Sequence, residues 1–115
     1  MSGRWYARPV VFVADLEQAV AFYVGTLGFA EVWRHEQIVA QVERATCELI
    51  LSSQEPDKTG RARIFLSLDA DVLDAVRAEL EARGVAIEDG YWGYRTMIVR
   101  DPDGNELYFP YPADA

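Results

Sequence analysis

Hydrophobic positions along the chain switch between a strand-like and a helix-like period, and they do so twice. Pro9 to Val13 is a short β-branched and aromatic run that reads as a strand. The segment after it, ADLEQAVAFYVGTLGF, takes a helical period with Leu16, Ala19, Val20, Tyr23 and Leu27 on one face. Asp15 stands at the cap with Gln18 three residues on, the spacing of a capping box, and Gly28 supplies the stop. Three further strand-like runs follow: Phe29 to Trp33, Ile38 to Val42 and Cys47 to Leu51, separated by the polar pieces RHEQ and ERAT. The first half therefore reads βαβββ.

The stretch SSQEPDKTGRA, Ser52 to Ala62, is the most loop-like in the chain. Beyond it the order repeats. Ile64 to Leu68 reads as a strand, and Asp71 can cap a helix whose Val72, Val76 and Leu80 fall at i, i+4 and i+8 before Gly84 stops it. Val85 to Ile87, Tyr94 to Val99 and Glu106 to Tyr111 then read as three strands. Asp15 to Gly28 and Asp71 to Gly84 are each separated by 13 residues. A repeat of roughly 55 residues in two copies is too long and too few for a solenoid. It predicts an α+β fold of two βαβββ modules, one at about 7–53 and the other at about 61–112. Half of the 115 residues are hydrophobic, which suits a single domain with its own core.

Charge narrows the partners. Eleven Lys and Arg stand against 19 Asp and Glu, a net charge of -8, so neither a nucleic-acid backbone nor an anionic membrane surface is favoured. No apolar run approaches the roughly 20 residues needed to span a bilayer, and MSGRWYARPVVF has no signal-type apolar stretch. A soluble cytoplasmic protein is expected. The single cysteine, Cys47 in ATCELIL, cannot form an internal disulfide and fits a reducing compartment or a small buried thiol. Cys–His catalysis would rest on His35 alone, and no motif supports it. His35, in WRHEQ, reads as a solvated turn residue, and DAVRAELEARG as a solvated helix face with Arg77 and Glu81 in i, i+4 order.

VADLEQAVAFYVGTLGF, followed roughly 70 residues later by VRDPDGNELYF, resembles the vicinal oxygen chelate superfamily. That group includes glyoxalase I, extradiol dioxygenases, fosfomycin-resistance enzymes and the bleomycin-resistance proteins, and the pattern is closest to the last. The resemblance implies two modules whose sheets curl into a U-shaped cleft with helices outside, often in a homodimer that pairs modules between chains. It also implies four sheet positions that hold a metal in the enzymes. The first, seven residues before the capping aspartate, is here Arg8; the second, in CELIL, is Glu48; the third is Arg63; the fourth, three residues past the Asn of DPDGN, is Tyr108. A guanidinium stays protonated and has no lone pair to donate, so two of the four corners cannot ligate. Neither a metal nor any other cofactor is expected. Arg8 and Arg63 are expected instead to flank Glu48 in a charge-assisted network that leaves one positive charge for an acidic group on a ligand.

Strand alternation extends the same face: Phe12 joins Arg8, Phe65 and Ser67 join Arg63, and Ile50 and Ser52 join Glu48. Trp33, Trp92 and Tyr94 stand at strand ends and turns where an aromatic can wall a pocket. The expected ligand-binding set is thus Arg8, Phe12, Trp33, Glu48, Arg63, Phe65, Trp92, Tyr94 and Tyr108, an aromatic cleft suited to planar small molecules. The same aromatics serve cores and dimer interfaces equally well, and Arg–Glu networks also occur as plain structure. Three functions follow. One is a metal-independent binder that sequesters an aromatic antibiotic or metabolite. Another is a metal-dependent lyase or dioxygenase, and the third is a metal-free enzyme with Glu48 or Glu106 as general base. No catalytic residue is assigned.

Overall fold

Two four-stranded mixed sheets with the same strand order account for the doubled pattern. In the computed structural model, which describes residues 3–112, β1 (Val10–Phe12), β2 (Ala30–His35), β3 (Val39–Arg44) and β4 (Cys47–Ser52) pair in the order β1-β4-β3-β2. The strands β5 (Arg63–Phe65), β6 (Glu88–Tyr91), β7 (Arg95–Arg100) and β8 (Glu106–Pro110) pair in the order β5-β8-β7-β6. In each sheet the first and last strands run parallel, Val11 beside Leu51 and Ile64 beside Leu107, while the other pairs are antiparallel. A parallel pair cannot close with a tight turn and needs a crossover. The helices α1 (Leu16–Val20) and α2 (Ala70–Ala82) lie within those crossovers. The repeat in sequence is a repeat of topology.

Pleating sorts the side chains. Val11, Val13, Leu49, Leu51, Val99 and Leu107 enter one buried apolar cluster that draws on both modules, while the alternate residues Val10, Arg63 and Phe65 stay open to solvent. The open faces carry the residues singled out for function.

The first helix begins as its sequence dictates, Asp15 Oδ1 accepting from the Gln18 amide at 3.0 Å, with Leu16, Ala19, Val20, Tyr23 and Leu27 all buried. From Ala21 to Thr26 the turns widen to a π-helix, so that Leu27 N donates to Phe22 O at 3.0 Å. Gly28 ends the helix at φ 78°, and a Cβ there would lie 2.8 Å from Arg44 Nη1, which donates to Leu27 O.

Module two departs from the expected pattern in two places. The second helix starts at Ala70 with Asp69 at its cap, so Asp71 falls inside the first turn. Its buried stripe is Leu73, Val76 and Leu80, at i, i+3 and i+7, and Val72 is 43% exposed, because a 3.6-residue turn aims the longer Leu73 at the core. Val85 to Ile87 is not a strand. Val85 N still donates to Leu80 O at 3.1 Å, and Val85 and Ile87 are partly buried against the core at the end of the helix. The strand comes later, as the polar edge segment EDGY, which carries no apolar alternation to mark it.

The DPDGN turn clasps the modules together. Asp101, 5% exposed, accepts at Oδ1 from the amides of Asp103 and Asn105, both at 2.9 Å. Its Oδ2 accepts from the Tyr23 hydroxyl at 3.0 Å and from Asn105 Nδ2 at 2.9 Å. Asn105 Nδ2 also donates to Phe12 O at 3.0 Å, and Asn105 Oδ1 accepts from Ala62 N at 2.9 Å. Asp103 Oδ1 accepts from Ala14 N at 3.2 Å. Burial, followed by the charge of Asp101, pushes the Tyr23 phenol far above its ordinary range, so it acts as a permanent donor.

Removing the acceptor at this point strands several buried donors together. Asp101→Ala is expected to destabilise the chain by about 3 kcal/mol or more and Tyr23→Phe by only about 1 kcal/mol. Urea unfolding measures both, and equal losses would refute the clasp as described.

Candidate functional site

On the open face of the first sheet, one side-chain amide gathers three of the expected residues. Arg8 Nη1 donates to Gln41 Oε1 at 3.2 Å, and Trp33 Nε1 donates to the same oxygen at 2.9 Å. Gln41 Nε2 in turn donates to Glu48 Oε1 at 2.8 Å. The strand register explains the meeting, since Gln41 lies opposite Trp33 on β2 and opposite Ile50 on β4, with Glu48 in the same pleat phase. A register shift between Glu31 and Trp33 aims the indole at the amide. Gln41 is 5% exposed and was not anticipated from sequence. The signal was there: it is the only polar residue in the run IVAQV. Phe12 stands on the same face, half-buried, with Lys58 Nζ 5.5 Å from its ring centroid.

An aromatic group occupies the second sheet. The Phe65 ring lies 5.1 Å from Trp92 and 5.2 Å from Tyr108, and the Arg63 guanidinium sits 4.7 Å over the Tyr108 ring. Tyr108 is 7% exposed, so it forms the base on which Arg63 and Phe65 rest. Trp92 and Tyr94 bound the turn between β6 and β7, where Trp92 N donates to Tyr94 O at 2.9 Å and Gly93 takes φ 78°. Tyr94 is exposed, as is Tyr91 beside it.

The expected triad of Arg8, Glu48 and Arg63 does not form. Arg8 reaches Glu48 only through Gln41, and Arg63 donates from Nε and Nη2 to Glu106 Oε1 at 3.0 and 2.9 Å. The reason is register: β5 runs parallel to β8 with Arg63 directly beside Glu106. Arg100 Nη2 holds the other oxygen of Glu106 at 3.2 Å, and Arg100 Nη1 also holds Glu88 at 2.6 Å. The nine expected residues thus fall into two sets, one on each sheet, and no hydrogen bond or ion pair joins the sets among the described residues.

These contacts also decide what the four corner positions can hold. Guanidinium groups stand at two of them, one over the aromatic ring of the fourth, Tyr108, and Glu48 is the lone carboxylate. No group of three or more His, Cys, Asp or Glu among the described residues could hold a metal ion. The donor set does not fit one. Glu106, held below the usual carboxylate range chiefly by the Arg63 hydrogen bond, is a poor general base near neutral pH. His35 is exposed, with Glu36 Oε2 3.8 Å from its Nε2. Cys47 is half-buried and faces a cavity of about 280 Å³ whose walls, including Leu66 and Phe109, contain none of the nine residues.

Residues 5–109 match the family described as the Glyoxalase/Bleomycin resistance protein/Dioxygenase superfamily. Among solved structures the chain is similar to TnmS3, an antibiotic binding protein from Streptomyces sp. CB03234, at 29% identity and a TM-score of 0.77 over 98% of this chain and 100% of that one. It is similar also to the bleomycin-binding protein of bleomycin-producing Streptomyces verticillus complexed with copper(II)-bleomycin, at 27% identity and a TM-score of 0.78 over 97% and 99% of the chains. A lactoylglutathione lyase from Agrobacterium tumefaciens shares the fold, at 18% identity and a TM-score of 0.73 over 96% of each chain. No curated protein matches in sequence.

The Glu106 pairing has a pH signature. Its carboxyl gives up its proton more readily when folded than when unfolded, so the unfolded chain binds more protons in that window. The stabilisation is full above the ordinary value of 4.5 and is lost as pH falls through the lower folded value. Glu106→Gln is expected to flatten this acid limb in urea unfolding followed against pH, though Asp89, held low by Arg77, keeps part of it. An unchanged limb would sink the assignment.

Proposed function

Because the chain belongs to the glyoxalase/bleomycin resistance protein/dioxygenase superfamily, we propose that it binds an aromatic small molecule without a metal and sequesters it rather than transforming it. The observation that carries this reading is the presence of Arg8 and Arg63 at the corner positions, each engaged by its own sheet through Gln41 or Glu106. What replaces a metal here is a set of hydrogen bonds and ring contacts. Arg8 is in no ion pair among the described residues, so its charge is free for an acidic group on a ligand. Phe65 and Trp92, both exposed and with rings inclined at 47° to each other, offer apolar ring faces on which a planar ring can stack. The two similar structures described as antibiotic-binding and bleomycin-binding support an antibiotic, or a metabolite of like shape, as the ligand class.

The cleft is proposed to form between two copies, the first sheet of one facing the second sheet of the other. Two observations support this. No hydrogen bond or ion pair joins the two sets of site residues among the described residues, and ahead of β1 the exposed residues 3–9 include Trp5, 95% exposed, a large apolar surface to leave in water. Among the described residues no helix is long and apolar enough to cross a membrane, and a cytoplasmic location is part of the proposal.

Calorimetric titration of chelator-treated protein with nickel, zinc, manganese and ferrous ions is expected to show no tight binding, whereas bleomycin or another aromatic antibiotic from a panel binds once per cleft. Tight one-per-site metal binding would restore the lyase or dioxygenase alternative, and failure of every antibiotic would end the antibiotic-sequestration reading. Sedimentation at micromolar concentration is expected to give a dimer; a monomer would contradict the shared cleft.

A further inference from the structure

The first sheet holds a cation and an anion close together without letting them meet. Arg8 enters β1 beside β4, Pro9 O accepting from Ile50 N at 2.9 Å, and Glu48 lies on β4 two residues before Ile50. A guanidinium and a carboxylate so placed ordinarily close into a bidentate pair and cancel. Here the neutral amide of Gln41 stands between them. Its orientation is forced, because Arg8 and Trp33 can only donate and so require the oxygen, while Glu48 can only accept when ionised and so requires the nitrogen. Arg8 spends one of its five N–H donors on this bond, and Glu48 accepts one hydrogen bond at one of its two oxygens. Neither is in an ion pair among the described residues.

We infer that Gln41 sets the charge selectivity of the cleft: by bridging Arg8 and Glu48 without neutralising either, it keeps an anion-seeking and a donor-seeking group side by side. The ligand class that uses both is an aromatic molecule carrying an acidic group next to a cationic group or hydrogen-bond donor. The Trp33 indole, fixed by the same oxygen, supplies the adjoining apolar wall. The inference rests on the ligand-binding reading above and assigns Gln41 as a positioning residue acting through Arg8 and Glu48.

The chemistry of one substitution separates this from a structural role. Gln41→Glu keeps the shape and both acceptor bonds but gives Arg8 a charged partner and adds a second carboxylate beside Glu48. Fluorescence titration of the full chain at about pH 8, above the ordinary carboxylate range, would use 8-anilinonaphthalene-1-sulfonate as an aromatic anion and proflavine as a planar cation. Gln41→Glu is expected to weaken the anion about tenfold and to tighten the cation by a similar factor, since a full charge changes beside the binding groups. Gln41→Met frees Arg8 to close on Glu48, and both probes are expected to weaken. Should the substitutions at the buried Gln41 fail to fold, Arg8→Gln and Glu48→Gln carry the test, the first expected to lower only anion affinity and the second only cation affinity. Affinities that stay level or move together in Gln41→Glu, or in this second pair, would overturn the inference and leave ligand binding intact. Absence of binding by either probe to the unaltered chain would overturn the ligand-binding reading, and the inference with it.

Discussion

A buried carboxylate with four donors around it holds the two halves of the molecule in place. Taking an ionised group out of water is costly unless its oxygens are satisfied, and Asp101 meets that demand with two amides of its own turn, the Asn105 side chain and a hydroxyl from the first helix. Asn105 relays the constraint to Phe12 on β1 and to Ala62 just ahead of β5. The DPDG turn therefore ties module two to the opening strand and helix of module one. Its conspicuous sequence reflects that bond, and the corner position three residues past Asn105 is filled by the Tyr108 ring.

With the modules fastened along their buried sides, the opposite faces of the sheets are left to polar and aromatic residues. Each face solves the same electrostatic problem differently. On the first sheet a neutral amide spaces the charges of Arg8 and Glu48, whereas on the second Glu106 accepts from two arginines and Arg63 lies over a ring. Neither arrangement leaves a cluster of metal-ligating groups among the described residues, which favours the proposed binding of an intact small molecule over Lewis-acid chemistry.

How far sequence could carry this can be followed residue by residue. The doubled βαβββ order and the Asp15 cap were legible because pleat and helix periods and cap chemistry are local. Strand β6 was not, because EDGY is an edge strand whose pairing is set by β7 and whose side chains carry no alternation, while the apolar Val85 to Ile87 are spent on packing. The nine expected residues could be named from strand alternation and the family resemblance, but not their partners: whether Arg63 meets Glu48 or Glu106 depends on register, which no single strand states. Gln41 was visible as a polar residue in an apolar run, yet its importance lies in the two strands beside it.

The placement of the two residue sets on separate sheets, with no polar contact between them among the described residues, gives each open face a property of its own. Changes that share no neighbours add independently. A substitution around Gln41 can alter the Arg8, Trp33 and Glu48 contacts while the ring cluster of Phe65, Trp92 and Tyr108 keeps its geometry, and the reverse holds equally. The two open faces are therefore free to change one at a time, each step leaving the side-chain geometry of the other in place.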